Sequence, residues 1–233
     1  MRAFSIRLRG PVTTGILAVC AVLIATLATP RNAHCTDLST PSFLVATRDL
    51  QDPFFVRSVI LLVPSTEPPL LAGLIINNPA KQRVRDVFPQ LHESKGQDEA
   101  IYTGGPVEPD EMSVIFRASS PQSSATRVVD DVYVATGRDA IAAILSDPRI
   151  TDFRVISGKA QWLHDQLYGE VMAGAWYVVP AKPELVFSDA KDLWSILVKG
   201  GDLDEARAGT ATQLNLPYRL LDGTNWQRRI SPD

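Results

Sequence analysis

Few side chains in this sequence are equipped for covalent or acid–base chemistry, and their spacing narrows what they can do. Past residue 35 only two histidines remain, His92 in a polar stretch and His164. No serine sits in the Gly-x-Ser-x-Gly turn that lifts a nucleophile out of a sheet, although a Ser-His-Asp triad can be assembled in space from distant residues. Both cysteines, Cys20 and Cys35, lie at the front, so a body beginning after them has no thiol nucleophile, disulfide or thiolate metal site. Two isolated histidines also lack the spacing that sets two metal ligands on one helical face, and Asp130-Asp131 reads as a solvated turn. Gly104-Gly105-Pro106 follows a short strand, but it has neither the Lys-Ser/Thr of a phosphate loop nor the three-glycine spacing of a dinucleotide fold. Pro106 and Pro109 remove two N–H donors, so a tight turn with close backbone approach is expected there. No catalytic set, metal or cofactor emerges, and whether the protein is an enzyme stays open, with the balance towards none.

What stands out instead is a polar stripe. The periodicity predicts a helix over 159–173, on which Trp162, Gln166 and Glu170 recur every four residues, about 100° round from the apolar stripe of Leu163, Leu167 and Val171. That sets a ring, an amide and a carboxylate at the edge of the core, as at the rim of a pocket. Asn77, at the end of a buried strand, and the Asp52-Pro53 turn are candidates to line the same cleft. These five are the candidate ligand-binding residues. Each also has a structural reading: Trp162 as core, Gln166 and Asn77 capping backbone groups, Asp52 closing an Asx turn.

The elements that must position them are short. Apolar runs over 43–46, 58–63, 71–76, 100–103, 112–116, 128–135, 153–156 and 176–179 read as strands rich in Val, Ile and aromatic residues. Val59-Ile60-Leu61-Leu62-Val63 and Leu74-Ile75-Ile76 are apolar throughout, which predicts central strands covered on both faces. Thr136-Gly137-Arg138-Asp139 has the form of a capping box ahead of a helix that Asp147-Pro148 ends. A third helix is expected to start at Ser188 as N-cap and to carry Leu193, Trp194, Leu197 and Val198. The stretches 92–99 and 118–126 read as exposed loops, and the polar tail over 200–233 holds at most a short helix around 202–208.

The average composition hides a division. Residues 1–35 carry four arginines, no acidic residue and an apolar run, the three-part pattern of a secretory signal peptide. The run is shorter than the ~20 apolar residues of a membrane span. Cleavage is expected after Ala28 or after Cys35, the latter preferred; an uncleaved anchor, a lipid-modified Cys35 and a misassigned start are the alternatives. Removing those four arginines from 23 basic residues leaves 19 against 26 acidic ones, a formal charge of −7 on 198 residues. Such a body has no general attraction for phosphate backbones, so nucleic acid is not favoured as a partner.

Several segments together resemble the YqgE/AlgH family of bacterial proteins. They are Phe43-Leu44-Val45-Ala46, Asp52-Pro53-x-Phe55-x-x-Ser58-Val59-Ile60, Gly73-Leu74-Ile75-Ile76-Asn77-Asn78-Pro79, Gly104-Gly105-Pro106-Val107 and Gly158-x-Ala160-x-Trp162-x-x-x-Gln166-Leu167-x-x-Glu170, then Ala175-Trp176 and Pro180. The sequence departs from the family pattern at Gln161 and Asp165, where glycines are common, at Tyr168 in place of a glutamate and at Arg117 in place of a histidine. The resemblance implies a compact single α+β domain: a coiled, bulged, mostly antiparallel or mixed sheet flanked by helices. The domain would span 36–233 after a signal peptide over 1–35, with its core over 41–198. It implies no established reaction.

The expected function is that of a non-enzymatic binding or regulatory module exported to the periplasm, recognising an unidentified small molecule or envelope protein. A cell-envelope hydrolase using Asp52 and Glu170 with His164 is the first alternative. A cytoplasmic transcriptional regulator is the second, and it requires a misassigned start.

Overall fold

The computed structural model describes residues 41–199 apart from 66, 68, 92–95 and 121–123. The predicted leader, the tail over 200–233, and residues 92–95 and 121–123 of the two predicted loops, His92 among them, lie outside the described residues.

Among the described residues ten strands form one sheet: β1 (Ser42–Ala46), β2 (Val59–Val63), β3 (Leu70–Ile75), β4 (Pro79–Arg83), β5 (Ala100–Thr103), β6 (Val107–Arg117), β7 (Thr126–Val129), β8 (Val132–Thr136), β9 (Phe153–Leu163) and β10 (Trp176–Pro180). Their order is β10-β1-β2-β3-β9-β6-β8-β7, with β4 and β5 off this path. All pairs are antiparallel except β5 with β9. The long β9 organises the sheet. Its N-terminal half pairs with β6 on one edge and β5 on the other, while Ala160–Leu163 pair with β3. The helices are α1 (Val84–Val87), α2 (Arg138–Ser146), α3 (His164–Met172), α4 (Pro183–Val186) and α5 (Ala190–Lys199). The described residues thus form a single α+β domain built on a curled, mostly antiparallel sheet.

The alternation of β1 shows how the core is divided. Phe43 and Val45 join Leu61, Leu74, Val186 and Leu193 on the face covered by α4 and α5. Leu44 and Ala46 join Ile60, Ile75, Trp162 and Leu167 on the opposite face, under α3. A strand buried on both faces has no polar side to show, which is why β1, β2 and β3 read as unbroken apolar runs. A third cluster packs Ile141, Ile144 and Leu145 of α2 against Val114, Phe116 and Tyr133.

Local chemistry moved several predicted boundaries. The predicted helix over 159–173 begins only at His164, because Ala160 and Trp162 bury every second residue while Lys159 and Gln161 stay partly exposed, the two-residue period of a strand. Leu163, assigned to the apolar stripe, is therefore exposed. Thr136 does not cap α2. It is the last residue of β8, its hydroxyl meets Ser113 Oγ at 3.1 Å across the strands, and Gly137 at φ +96° is the N-cap. Ser188 does not cap α5 either; its hydroxyl donates to Leu185 O, and Asp189 Oδ1 accepts the Lys191 N–H at 2.9 Å. β4 carries Lys81, Gln82 and Arg83 and was invisible to an apolar-run criterion.

The Gly104-Gly105 turn is the close approach the sequence suggested. A Cβ on Gly105 would lie 2.3 Å from the Lys159 carbonyl, and one on Gly104 would lie 2.3 Å from Gly158 O. The β5–β6 connection is therefore laid directly on the backbone of β9.

Candidate functional site

Glu170 of α3 sits where three donors converge. Its Oε2 accepts the indole N–H of Trp162 at 3.1 Å and of Trp176 at 2.8 Å, and its Oε1 accepts from Gln166 Nε2 at 3.0 Å. Both indoles are buried, so each needs a partner for its N–H, and one carboxylate serves both. The rings meet edge to face, 6.2 Å between centroids, and Phe55 packs on both, at 6.1 Å from Trp162 and 5.6 Å from Trp176. Three of the five predicted residues are thus brought together, although Trp162 arrives from a strand and Gln166 and Glu170 from a helix.

The other two lie in the structure that holds the loop 47–57. Asp52 Oδ1 accepts the N–H groups of Phe54 at 2.8 Å and Phe55 at 3.2 Å, closing an Asx turn that presents Phe55 to the tryptophans. Asn77 Oδ1 accepts the Val59 N–H at 2.7 Å while its Nδ2 donates to Arg57 O at 2.9 Å. That second bond secures Arg57 at φ +57°, a left-handed conformation costly for any residue with a Cβ.

Beyond Phe55 the same loop borders a surface cleft of about 460 Å³, lined by Thr47, Leu50 and Trp194 and by Arg48, Gln51, Val56 and Arg57, which are exposed to solvent. Trp194 is fixed by its N–H, which donates to Ala46 O at 2.8 Å, and the Arg57 guanidinium stands 5.7 Å over its ring. Thr47 Oγ1 donates to Gly174 O at 2.9 Å, tying the start of the loop to the end of α3.

Two further charged groups are spent on structure. The Lys159 ammonium faces Glu108 at 2.6 Å, Glu111 at 3.0 Å and Glu67 at 3.2 Å. Burial would lower its pKa, but the hydrogen bonds to the three glutamates carry it above the usual lysine value. The Lys159 hydrogen bond, with one from Glu111, holds the Glu108 carboxyl below its usual range. Arg154, buried on β9, donates to Ile76 O at 2.6 Å and to Ser188 O, with Tyr102 beneath it. Burial pulls its pKa down and Tyr102 offsets part of that. Among the described residues no group of three His, Cys, Asp or Glu side chains is placed to hold a metal ion.

The family model described as DUF179, AlgH-like, matches residues 43–204. The chain belongs to the AlgH-like family. A UPF0301 protein of Thermobifida fusca is 32% identical over 183 residues, 73% of this chain and 92% of that protein. UPF0301 protein VP2612 of Vibrio parahaemolyticus is 31% identical over 157 residues, 64% of this chain and 83% of that one. Two solved structures share the fold. Protein DIP2367 of Corynebacterium diphtheriae matches with a TM-score of 0.59 and 25% identity, covering 73% of this chain and 91% of that one. The AlgH protein of Pseudomonas aeruginosa matches with a TM-score of 0.56 and 26% identity, covering 69% and 88%.

The sequence reading missed Arg48, Gln51, Arg57 and Trp194, all outside its candidate set. Arg57 stood unread inside the Asp52 to Ser58 segment, since no pattern of residue types announces a left-handed arginine. Trp194 was read only as part of an apolar helical stripe.

Proposed function

We propose that this AlgH-like chain is a non-enzymatic binding or regulatory module, exported to the cell envelope, whose ligand site is the cavity between the loop 47–57 and Trp194. The observation that carries it is the division of labour in that loop. Asp52, Asn77 and the Glu170 cluster hold its frame, while Arg48, Gln51 and Arg57 line open space. Positioning ligand-facing groups on a loop braced by a rigid scaffold is how binding sites are commonly built.

The same geometry weighs against the hydrolase alternative. Glu170 accepts three hydrogen bonds, Asp52 is committed to its turn, and His164 is exposed and 3.5 Å from Asp165. A general acid or base needs an aimed proton site; Glu170 is already engaged through both oxygens, and Asp52 is turned towards its own backbone. Export rests on the basic-then-apolar leader over 1–35.

Two measurements test the proposal. A thermal-shift screen of small molecules on the full-length chain and on Trp194→Ala should give hits whose shift disappears in the variant; hits indifferent to Trp194 would place binding elsewhere. N-terminal sequencing of the protein from its own cells should find a start after Ala28 or Cys35. A start at Met1, with the protein in the cytoplasmic fraction, would move the function to that compartment.

A further inference from the structure

We infer that the cavity at Arg57 recognises a small organic anion, a carboxylate or phosphate head carried on an apolar body. The inference rests on the binding function proposed above and adds the chemical class of the ligand. Two arginines face this one space, and among the described residues neither meets a carboxylate at ion-pair distance. The loop does contain two aspartates, yet neither lines the cavity, and Asp52 Oδ1 is occupied by the N–H groups of Phe54 and Phe55. Among the described residues the wall thus carries no carboxylate to neutralise the arginines.

Arg57 is also placed at a cost. Its φ of +57° is held by the Asn77 bond to its carbonyl, and strain of this kind collects where a side chain has to be aimed. Its guanidinium carbon lies 5.7 Å over the Trp194 ring, and the planar fork of a guanidinium matches the two oxygens of a carboxylate or phosphate. Leu50 and Val56 supply an apolar wall and Gln51 an amide. An inorganic ion would leave the apolar wall unused, and a neutral ligand would leave the two cations unpaired.

The full-length chain, ¹⁵N-labelled, would be titrated at low salt with phenyl phosphate, phenylacetate, inorganic phosphate and benzyl alcohol. The Trp194 indole N–H, assigned by its loss in Trp194→Phe, is the signal followed. Saturable shifts are expected with phenyl phosphate or phenylacetate, at least about tenfold tighter than with benzyl alcohol or inorganic phosphate, and weakened by added salt. Whichever of the two binds tighter identifies the head group. Arg57→Met should weaken that ligand about tenfold or more and Arg48→Met several-fold, while Arg57→Lys, which keeps the charge without the fork, should fall between. Unshifted Trp162 and Trp176 indole resonances, both held on Glu170, check in the free variants that the fold is intact. Benzyl alcohol binding as tightly as the anions, or Arg57→Met binding as tightly as the natural chain, overturns the anion inference but leaves a binding site at Trp194. Failure of all four probes to move the Trp194 signal overturns the inference and counts against the site itself.

Discussion

Trp176 Nε1 and Trp162 Nε1 donate to the same oxygen of Glu170, at 2.8 and 3.1 Å. Because both rings are buried, removing the acceptor strands two N–H groups at once. Each stranded donor costs ~1–3 kcal/mol, so Glu170→Ala should destabilise the protein by about 2–5 kcal/mol in urea unfolding. Glu170→Gln keeps an oxygen in place but loses the charge and should cost about 1–2 kcal/mol. A Glu170→Ala loss no larger than that of the glutamine variant would mean that water replaces the carboxylate.

Asn77 and Arg57 form a second coupled pair, through the bond from Asn77 Nδ2 to Arg57 O. Asn77→Ala removes this bond and leaves the buried Val59 N–H without its partner, which should cost about 2–3 kcal/mol. The backbone strain at Arg57 can be read separately. Glycine adopts φ +57° freely and a β-branched residue does not, so Arg57→Gly should be more stable than Arg57→Val by about 1–2 kcal/mol. Both lose the same guanidinium, so the difference reports conformation. Equal stabilities would show that the loop relaxes out of the left-handed state.

The sheet was legible because its central strands are buried on both faces, leaving runs such as 59–63 with no polar interruption. The site was half legible. Trp162 and Glu170 were paired on a helical period that does not exist there, and they meet because the strand β9 turns directly into α3 at Leu163, bringing residues eight apart back together. A stretch such as Lys159-Ala160-Gln161-Trp162-Leu163 fits either period, and the choice was made by pairing with Leu70–Gly73, a contact almost ninety residues away in the chain. The cavity was illegible for a related reason. Its cations are set by a backbone conformation at Arg57 and by the placement of α5, neither of which leaves a local pattern.

Gly105 and Gly137 separate two reasons for a glycine. At Gly105 a Cβ would lie 2.3 Å from the Lys159 carbonyl, backbone that can yield only by moving β9. At Gly137, φ is +96° but nothing lies within 4 Å. Gly137→Ala should therefore cost only the conformational strain, about 1–2 kcal/mol. Gly105→Ala adds a steric clash in a packed sheet and should cost about 3 kcal/mol or more. Thermal unfolding of the two variants side by side checks the order, and similar losses would mean that the β5–β6 turn is able to lift off β9.

The Lys159 cluster sets an expected pH profile. Glu108 has its pKa lowered in the folded protein, so its contribution is present above the unfolded carboxylate value near 4.5 and is lost as pH falls through the lower folded value. Lys159 has its pKa raised, so its contribution is present below the unfolded lysine value and is lost as pH rises through the folded one. Lys159→Met removes both and leaves Glu67, Glu108 and Glu111 crowded without a cation. The gap in stability between the natural chain and this variant should be widest between about pH 5 and pH 10. It should narrow below about pH 4 as the glutamates protonate, and again at the alkaline end as the natural chain loses its ammonium. Urea midpoints across that range give the profile. A gap that does not change with pH would assign the effect to the packing of the lysine stem against the β5–β6 turn instead of its charge.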